Sequence, residues 1–171
     1  VTNQSKIADR KKASIQEASH QMYELLTNPI QIQPEADKNH EDVYLFDFDN
    51  PLANTFALAE EVSFIDPLTG SHSRPDLVVY VNGIALAVIE LKRSIVSFEE
   101  GIKQNLSNEI DLIPSFFTTV QYTIAANSNG FRYATLLTPQ KFWCPWKRDD
   151  HKVGVHLSDE ESFREFFAKE T

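Results

Sequence analysis

The sequence predicts an α/β fold, a mixed central β-sheet flanked by helices. Three observations lead there. Two apolar runs rich in β-branched residues, 77–81 and 84–91, are joined by Asn82-Gly83, the strongest short hairpin signal. Stretches 6–26 and 97–113 instead repeat their apolar residues at three- and four-residue steps, the period of a helix. Strand character then returns at 116–126 and 131–137. Strands alternating with amphipathic helices make a sheet with covering helices. The 171 residues, 42% apolar and 24% charged, have the length and balance of one compact domain.

Each element has a local reason. In the first helical stretch Ile7, Ala8, Ile15, Ala18, Met22, Leu25 and Leu26 line one side, until Asn28-Pro29 ends the pattern. Residues 31–42 are polar and turn-like. Residues 43–48 alternate loosely as a strand, with Asp49 as the turn acceptor before Asn50-Pro51. Residues 56–64 read as another strand, closed by Asp66-Pro67 through Gly70. The near-continuous apolarity of 77–91 indicates strands covered on both faces. In the second helix Phe98, Ile102, Leu106, Ile110 and Ile113 form the stripe, and Pro114 ends it. Residues 127–130 form a turn, and 158–169 a terminal helix with Ser158 and Glu161 in capping-box spacing.

Charge and cysteine content exclude several functions. Sixteen Lys and Arg against 25 Asp and Glu leave a formal charge of −9, which excludes a domain held to phosphates by net positive charge. The single cysteine, Cys144, forms no internal disulfide and fits a reducing compartment. The longest apolar run, 84–89, is far short of the ~20 residues that cross a bilayer. The polar, basic start is not a signal peptide, so no membrane is expected and the cytoplasm is the default. The chain opens on Val1 rather than Met, as a processed or excised piece would.

One stretch is poorly explained as mere scaffold. The strand 84–91 should stay apolar to its end, yet it closes on Glu90, followed by Lys92. Burying an unpaired charge costs several kcal/mol. Residues two apart share a strand face, so Glu90 and Lys92 point the same way. Asp76 begins the partner strand. Two carboxylates and an ammonium at one end of a buried hairpin suit a hard cation, with the lysine able to orient or deprotonate a water or offset phosphate charge. Register supplies a test. A regular two-residue loop sets Asp76 across from Ile89 and puts Asp76 and Glu90 on opposite faces. The catalytic reading therefore predicts an odd loop or a β-bulge between them, unless twist or fraying near the strand ends intervenes.

Pro75-Asp76, then Glu90 and Lys92, resemble the PD-(D/E)xK nuclease signature. The run from Arg74 to Lys92 resembles the N-terminal nuclease region of type I restriction enzyme R subunits. The segments at 43–51 and 54–56, then Gln104, 113–117, 126–130 and Pro145-Trp146, fall in that family's order. The resemblance implies a restriction-endonuclease-like core that cleaves double-stranded DNA. Asp76 and Glu90 would hold Mg²⁺ with the backbone carbonyl of Leu91, Lys92 would be the catalytic lysine, and Gln104 would position substrate or lysine. It also implies partners: the modification and specificity subunits, and translocase domains of the same subunit. No Gly-Lys-Ser/Thr phosphate loop occurs in the chain, so ATP would bind in those translocase domains, outside it. The family's Gln-x-x-x-Tyr element is broken here, with Asn108 where the tyrosine is expected. An acidic group that an opening helix often supplies has only Glu24 as a weak substitute.

Plainer readings stand beside these. Asp76, Glu90 and Lys92 also suit a structural ion-pair cluster, and the whole chain suits a non-catalytic docking module that binds translocase or partner subunits. Asn108 reads as solvated, and Gln104 as equally a solvated or a functional position. Asp47 and Asp49, on one strand face, make a weak metal pair. The five histidines lack paired ligand spacing. Cys144 reads as packed beside Trp143 and Trp146. Lys141, Lys147, Arg148 and Lys152, interleaved with Phe142, form the best basic-aromatic patch for a DNA backbone.

Overall fold

The computed structural model describes residues 3–128 and 130–145. Helix α1 (Asn3–Thr27) opens it and buries Ile15 and Leu26. Thr27 Oγ1 donates to the Tyr23 carbonyl at 2.8 Å and Asn28 Nδ2 to the Glu24 carbonyl at 3.0 Å, so side chains close the last turn before Pro29. The polar stretch that follows is not all turn. Strand β1 (Ile30–Ile32) pairs antiparallel with β2 (Glu41–Val43).

Residues 44–48, expected as strand, are irregular because side chains capture the backbone there. Asn54 Oδ1 accepts from the Asp47 N–H at 2.9 Å, and Asn54 Nδ2 donates to the Asp47 carbonyl at 2.8 Å. Asp47 Oδ1 accepts from the Asn50 N–H at 2.8 Å. Asp47, not Asp49, is therefore the turn acceptor, and the two residues share no strand face.

A six-stranded sheet organises the rest. It is built of β3 (Phe56–Glu60), β6 (Leu77–Val81), β7 (Ile84–Leu91), β8 (Tyr122–Asn127), β9 (Gly130–Ala134) and β10 (Cys144–Pro145), in the order β10-β9-β8-β7-β6-β3. The short pair β4 (Phe64–Ile65) and β5 (His72–Ser73) stands apart, so the expected strand over 56–64 is two elements. All pairings are antiparallel except β7 with β8. That crossover carries helix α2 (Phe98–Ser107), whose Ser97 cap accepts from the Glu99 N–H at 3.2 Å. The mixed α/β class is the one predicted.

The β6–β7 turn is Asn82-Gly83, both at positive φ (50° and 81°), as a type I′ hairpin requires. Asn82 also ties the turn to its neighbours. Its Oδ1 accepts from the Thr55 N–H, and its Nδ2 donates to the Leu45 carbonyl and Asn54 Oδ1, each at 2.8 Å. One core cluster joins Val78, Ala85 and Val88 of the sheet to Ile113, Phe117 and Val120. A second gathers Ile89, Ile124, Ala126 and Phe131, so neither face of β7 is left open.

Residues 116–121 are not strand. Phe116–Thr118 is a 3₁₀ turn, anchored from behind by buried Asp66. The Asp66 carboxylate accepts from the Ser115 hydroxyl at 2.6 Å and from the Leu68 and Thr69 N–H groups, which hold it well below the usual carboxylate range. Cys144 is exposed rather than packed, while Trp143 is buried with Nε1 donating to the Thr138 carbonyl at 3.0 Å. The helix expected at 158–169 lies outside the described residues. Among the described residues no helix is long and apolar enough to cross a membrane.

Candidate functional site

The β6–β7 hairpin changes register partway along. Val81 faces Ile84 and Tyr80 faces Ala85, but Val79 faces Ala87 and Leu77 faces Ile89. Leu86 is the extra residue, a β-bulge whose carbonyl instead accepts from the Gln121 N–H at 2.8 Å. One residue of slip moves Asp76 from opposite Ile89 to opposite Glu90. The condition set by the sequence is thus met, despite a regular two-residue turn.

Around that register four side chains converge. Glu90 has no exposed surface, held at the sheet end where α2 crosses. The closeness of α2 depends on Gly101, since a Cβ there would stand 3.1 Å from Ala125 Cβ and 3.4 Å from Glu90 Cβ. Asp76 is half-buried, and its Oδ2 accepts from the Leu91 N–H at 2.7 Å. Lys92 Nζ lies 3.6 Å from Glu90 Oε2 and donates to Gln104 Oε1 at 2.6 Å. Gln104 is therefore fixed on the lysine rather than solvated.

Burial pushes the Glu90 carboxyl up to about 8, and the neighbouring Asp76 adds to the rise, while Lys92 opposes it. Glu90 Oε2 is buried and accepts no hydrogen bond among the described residues. A buried carboxylate oxygen without a donor, beside a second carboxylate, is a place where a hard cation compensates both. No group of three or more His, Cys, Asp or Glu side chains able to share a metal occurs among the described residues. Asp76 and Glu90 are therefore a pair of carboxylates rather than a closed ligand set.

The second half of the helix departs from expectation. Helix α2 ends at Ser107 and widens into a π turn, Asn108–Leu112, closed by the Ile113 N–H donating to the Asn108 carbonyl at 3.0 Å. Asn108 and Glu109 follow Gly101, Ile102 and Asn105 at helical steps onto the same inward face, and both are fully buried. Asn108, read as solvated, instead donates from Nδ2 to Glu90 Oε1 at 3.4 Å and accepts from Ser73 Oγ at 2.7 Å. Neither Ser73 nor Asn108 stood out as a contact of the acidic pair in the sequence. Glu24 is exposed, and its Oε2 accepts from Asn28 Nδ2 at 2.8 Å. Of the basic-aromatic patch, Lys141 Nζ sits 4.8 Å from the Phe142 ring centroid. Lys147, Arg148 and Lys152 lie outside the described residues.

Glu109 carries a stability prediction. Its Oε2 accepts from the Leu137 N–H at 2.8 Å, yet burial, the dominant influence, raises its carboxyl from 4.5 to about 7. The folded state then keeps a proton that the unfolded chain releases, so stability is lost as pH rises from 4.5 to about 7 and levels off beyond. Glu109→Gln keeps the acceptor without the charge. Relative to wild type it should gain about 3 kcal/mol across that window, read from urea unfolding at each pH. A pH-independent difference between the two proteins would contradict the account.

The family described as type I restriction enzyme R protein N terminus matches residues 2–142. A protein of Methanocaldococcus jannaschii, named for a type I restriction enzyme endonuclease subunit, is 29% identical over 147 residues. The match takes in 82% of this chain but 14% of that relative.

Proposed function

The chain belongs to the family of type I restriction enzyme R protein N termini, and we propose that it is the Mg²⁺-dependent endonuclease domain of such a subunit, cutting double-stranded DNA on a PD-(D/E)xK core. One observation carries the reading. The Leu86 bulge sets Asp76 across from buried Glu90, with Lys92 Nζ 3.6 Å from the Glu90 carboxylate. A structural ion pair does not need a second carboxylate beside a buried one, since that arrangement costs stability.

Asp76, Glu90 and the Leu91 carbonyl would hold Mg²⁺, and the orphaned Glu90 Oε2 fits that role. When bound, the ion supplies Lewis acidity to a phosphate oxygen and acidifies a water. The chain's own groups do the rest. Lys92 holds a positive charge at the same sheet end, where it steadies the phosphate as negative charge builds and stays within reach of the attacking water. Gln104 keeps the ammonium from swinging out to solvent. Asp76, by accepting from the Leu91 N–H, fixes the strand end on which Glu90 and Lys92 stand.

The net charge of −9 gives the domain no general grip on DNA, so delivery falls to the translocase domains and to the modification and specificity subunits. Magnesium titrated into the chain should give a calorimetric binding signal that weakens at least ~10-fold in Asp76→Asn, a ligand change expected to exceed an outer-shell one. Identical titrations of the two proteins would remove Asp76 from the metal site.

A further inference from the structure

We propose that Asn108 and Ser73 are positioning residues for Glu90, selecting which of its two carboxylate oxygens faces the reaction. This deepens the nuclease reading and rests on it. The three side chains form a chain of contacts across separate elements. Ser73 on β5 donates from Oγ to Asn108 Oδ1 at 2.7 Å, and Asn108 Nδ2 reaches Glu90 Oε1 at 3.4 Å. Asn108 and Glu90 have no exposed surface and Ser73 is 9% exposed, so solvent does not compete for these bonds.

The orientation of the amide follows from its neighbours. A hydroxyl donates or accepts, but an ionised carboxylate only accepts. The Asn108 nitrogen faces Glu90 and its oxygen faces Ser73, the arrangement that an ionised, cation-holding Glu90 requires. With Oε1 held by Asn108, the other oxygen, Oε2, is the one turned to Lys92 Nζ and left without a donor. Ser73 lies three residues before Asp76, so the same relay ties the segment entering one carboxylate to the helix end that steers the other. Asn108 stands on the inward face at the end of α2, where the π turn begins.

The test uses the full-length subunit, alone and assembled with its partner subunits. Magnesium binding to the subunit is read by calorimetry without nucleotide, with Glu90→Ala defining the background. Cutting by the assembled enzyme is read against Mg²⁺ concentration at matched ATPase rate. Asn108→Ala should weaken Mg²⁺ binding 10- to 100-fold and move the half-maximal Mg²⁺ for cutting upward by a similar factor. Ser73→Ala should shift both the same way by less, and Ser73→Thr, which keeps the hydroxyl, should restore them. Should Asn108→Ala fail to fold, the Ser73 pair of variants decides alone. Unchanged Mg²⁺ binding, or a uniform fall in cutting with no shift in Mg²⁺ dependence, would overturn the proposal. If Glu90→Ala itself neither loses binding nor cutting, the nuclease reading fails, a result distinct from failure of the relay.

Discussion

Glu90→Gln should abolish DNA cutting by the assembled enzyme while leaving the domain at least as stable as wild type. Glutamine has nearly the shape of glutamate and keeps an oxygen for Asn108 Nδ2. What it removes is a carboxyl with no exposed surface, raised to about 8 by its burial beside Asp76, so that at neutral pH folding must hold a proton that the unfolded chain has released. Removing a buried carboxylate from beside another relieves repulsion and desolvation together. Cutting should fall by at least ~10²-fold, since a neutral amide is a poor partner for a hard cation and for Lys92. Urea unfolding at neutral pH and above reads the first effect, and plasmid cleavage by the complex reads the second. A loss of stability with cutting intact would make Glu90 part of a structural ion-pair cluster. Sites that lower stability for the sake of chemistry are common in enzymes, and the opposite signs are the mark of one here.

Much of this arrangement was legible in the sequence because strand geometry is unforgiving. Apolar runs on either side of Asn82-Gly83 specify a hairpin, and two charges two residues apart at the end of a buried strand specify a shared face. The need for a bulge followed from counting residues between Asp76 and Glu90. Its place at Leu86 did not, because every residue around it is apolar and suits either face.

The far end of α2 was misread for a related reason. The stripe through Ile102, Leu106 and Ile110 was drawn through apolar residues alone, whereas the buried face runs from Ile102 through Asn105, Asn108 and Glu109. Three polar residues at three- and four-residue steps from Gly101 and Ile102 were the available signal. They pack because each finds a buried partner: Asn105 Nδ2 donates to the Ile124 carbonyl at 2.9 Å, Asn108 meets Glu90, and Glu109 accepts from Leu137. Tertiary partners of that kind cannot be read from local spacing. Residues 44–48 failed as strand similarly, since Asn54 and Asp47 offered the backbone closer bonds than a ladder did.

The claim that this sheet end performs the cleavage rests most directly on Lys92. Its Nζ is held by Gln104 Oε1 at 2.6 Å, and the side chain is 19% exposed, between Glu90 and the surface. Lys92→Ala removes the ammonium and its ion pair with Glu90, and leaves both carboxylates and the Leu91 N–H bond to Asp76 in the chain. A positioned acid–base or charge-stabilising group contributes ~10²–10⁴-fold. The decisive measurement compares DNA cutting by the assembled enzyme carrying wild-type or Lys92→Ala subunits, at matched ATPase rates. Cutting lost by that factor with ATP hydrolysis retained is the predicted result. Equal cutting by the two enzymes would contradict it, and would leave the domain as a docking module on a nuclease scaffold.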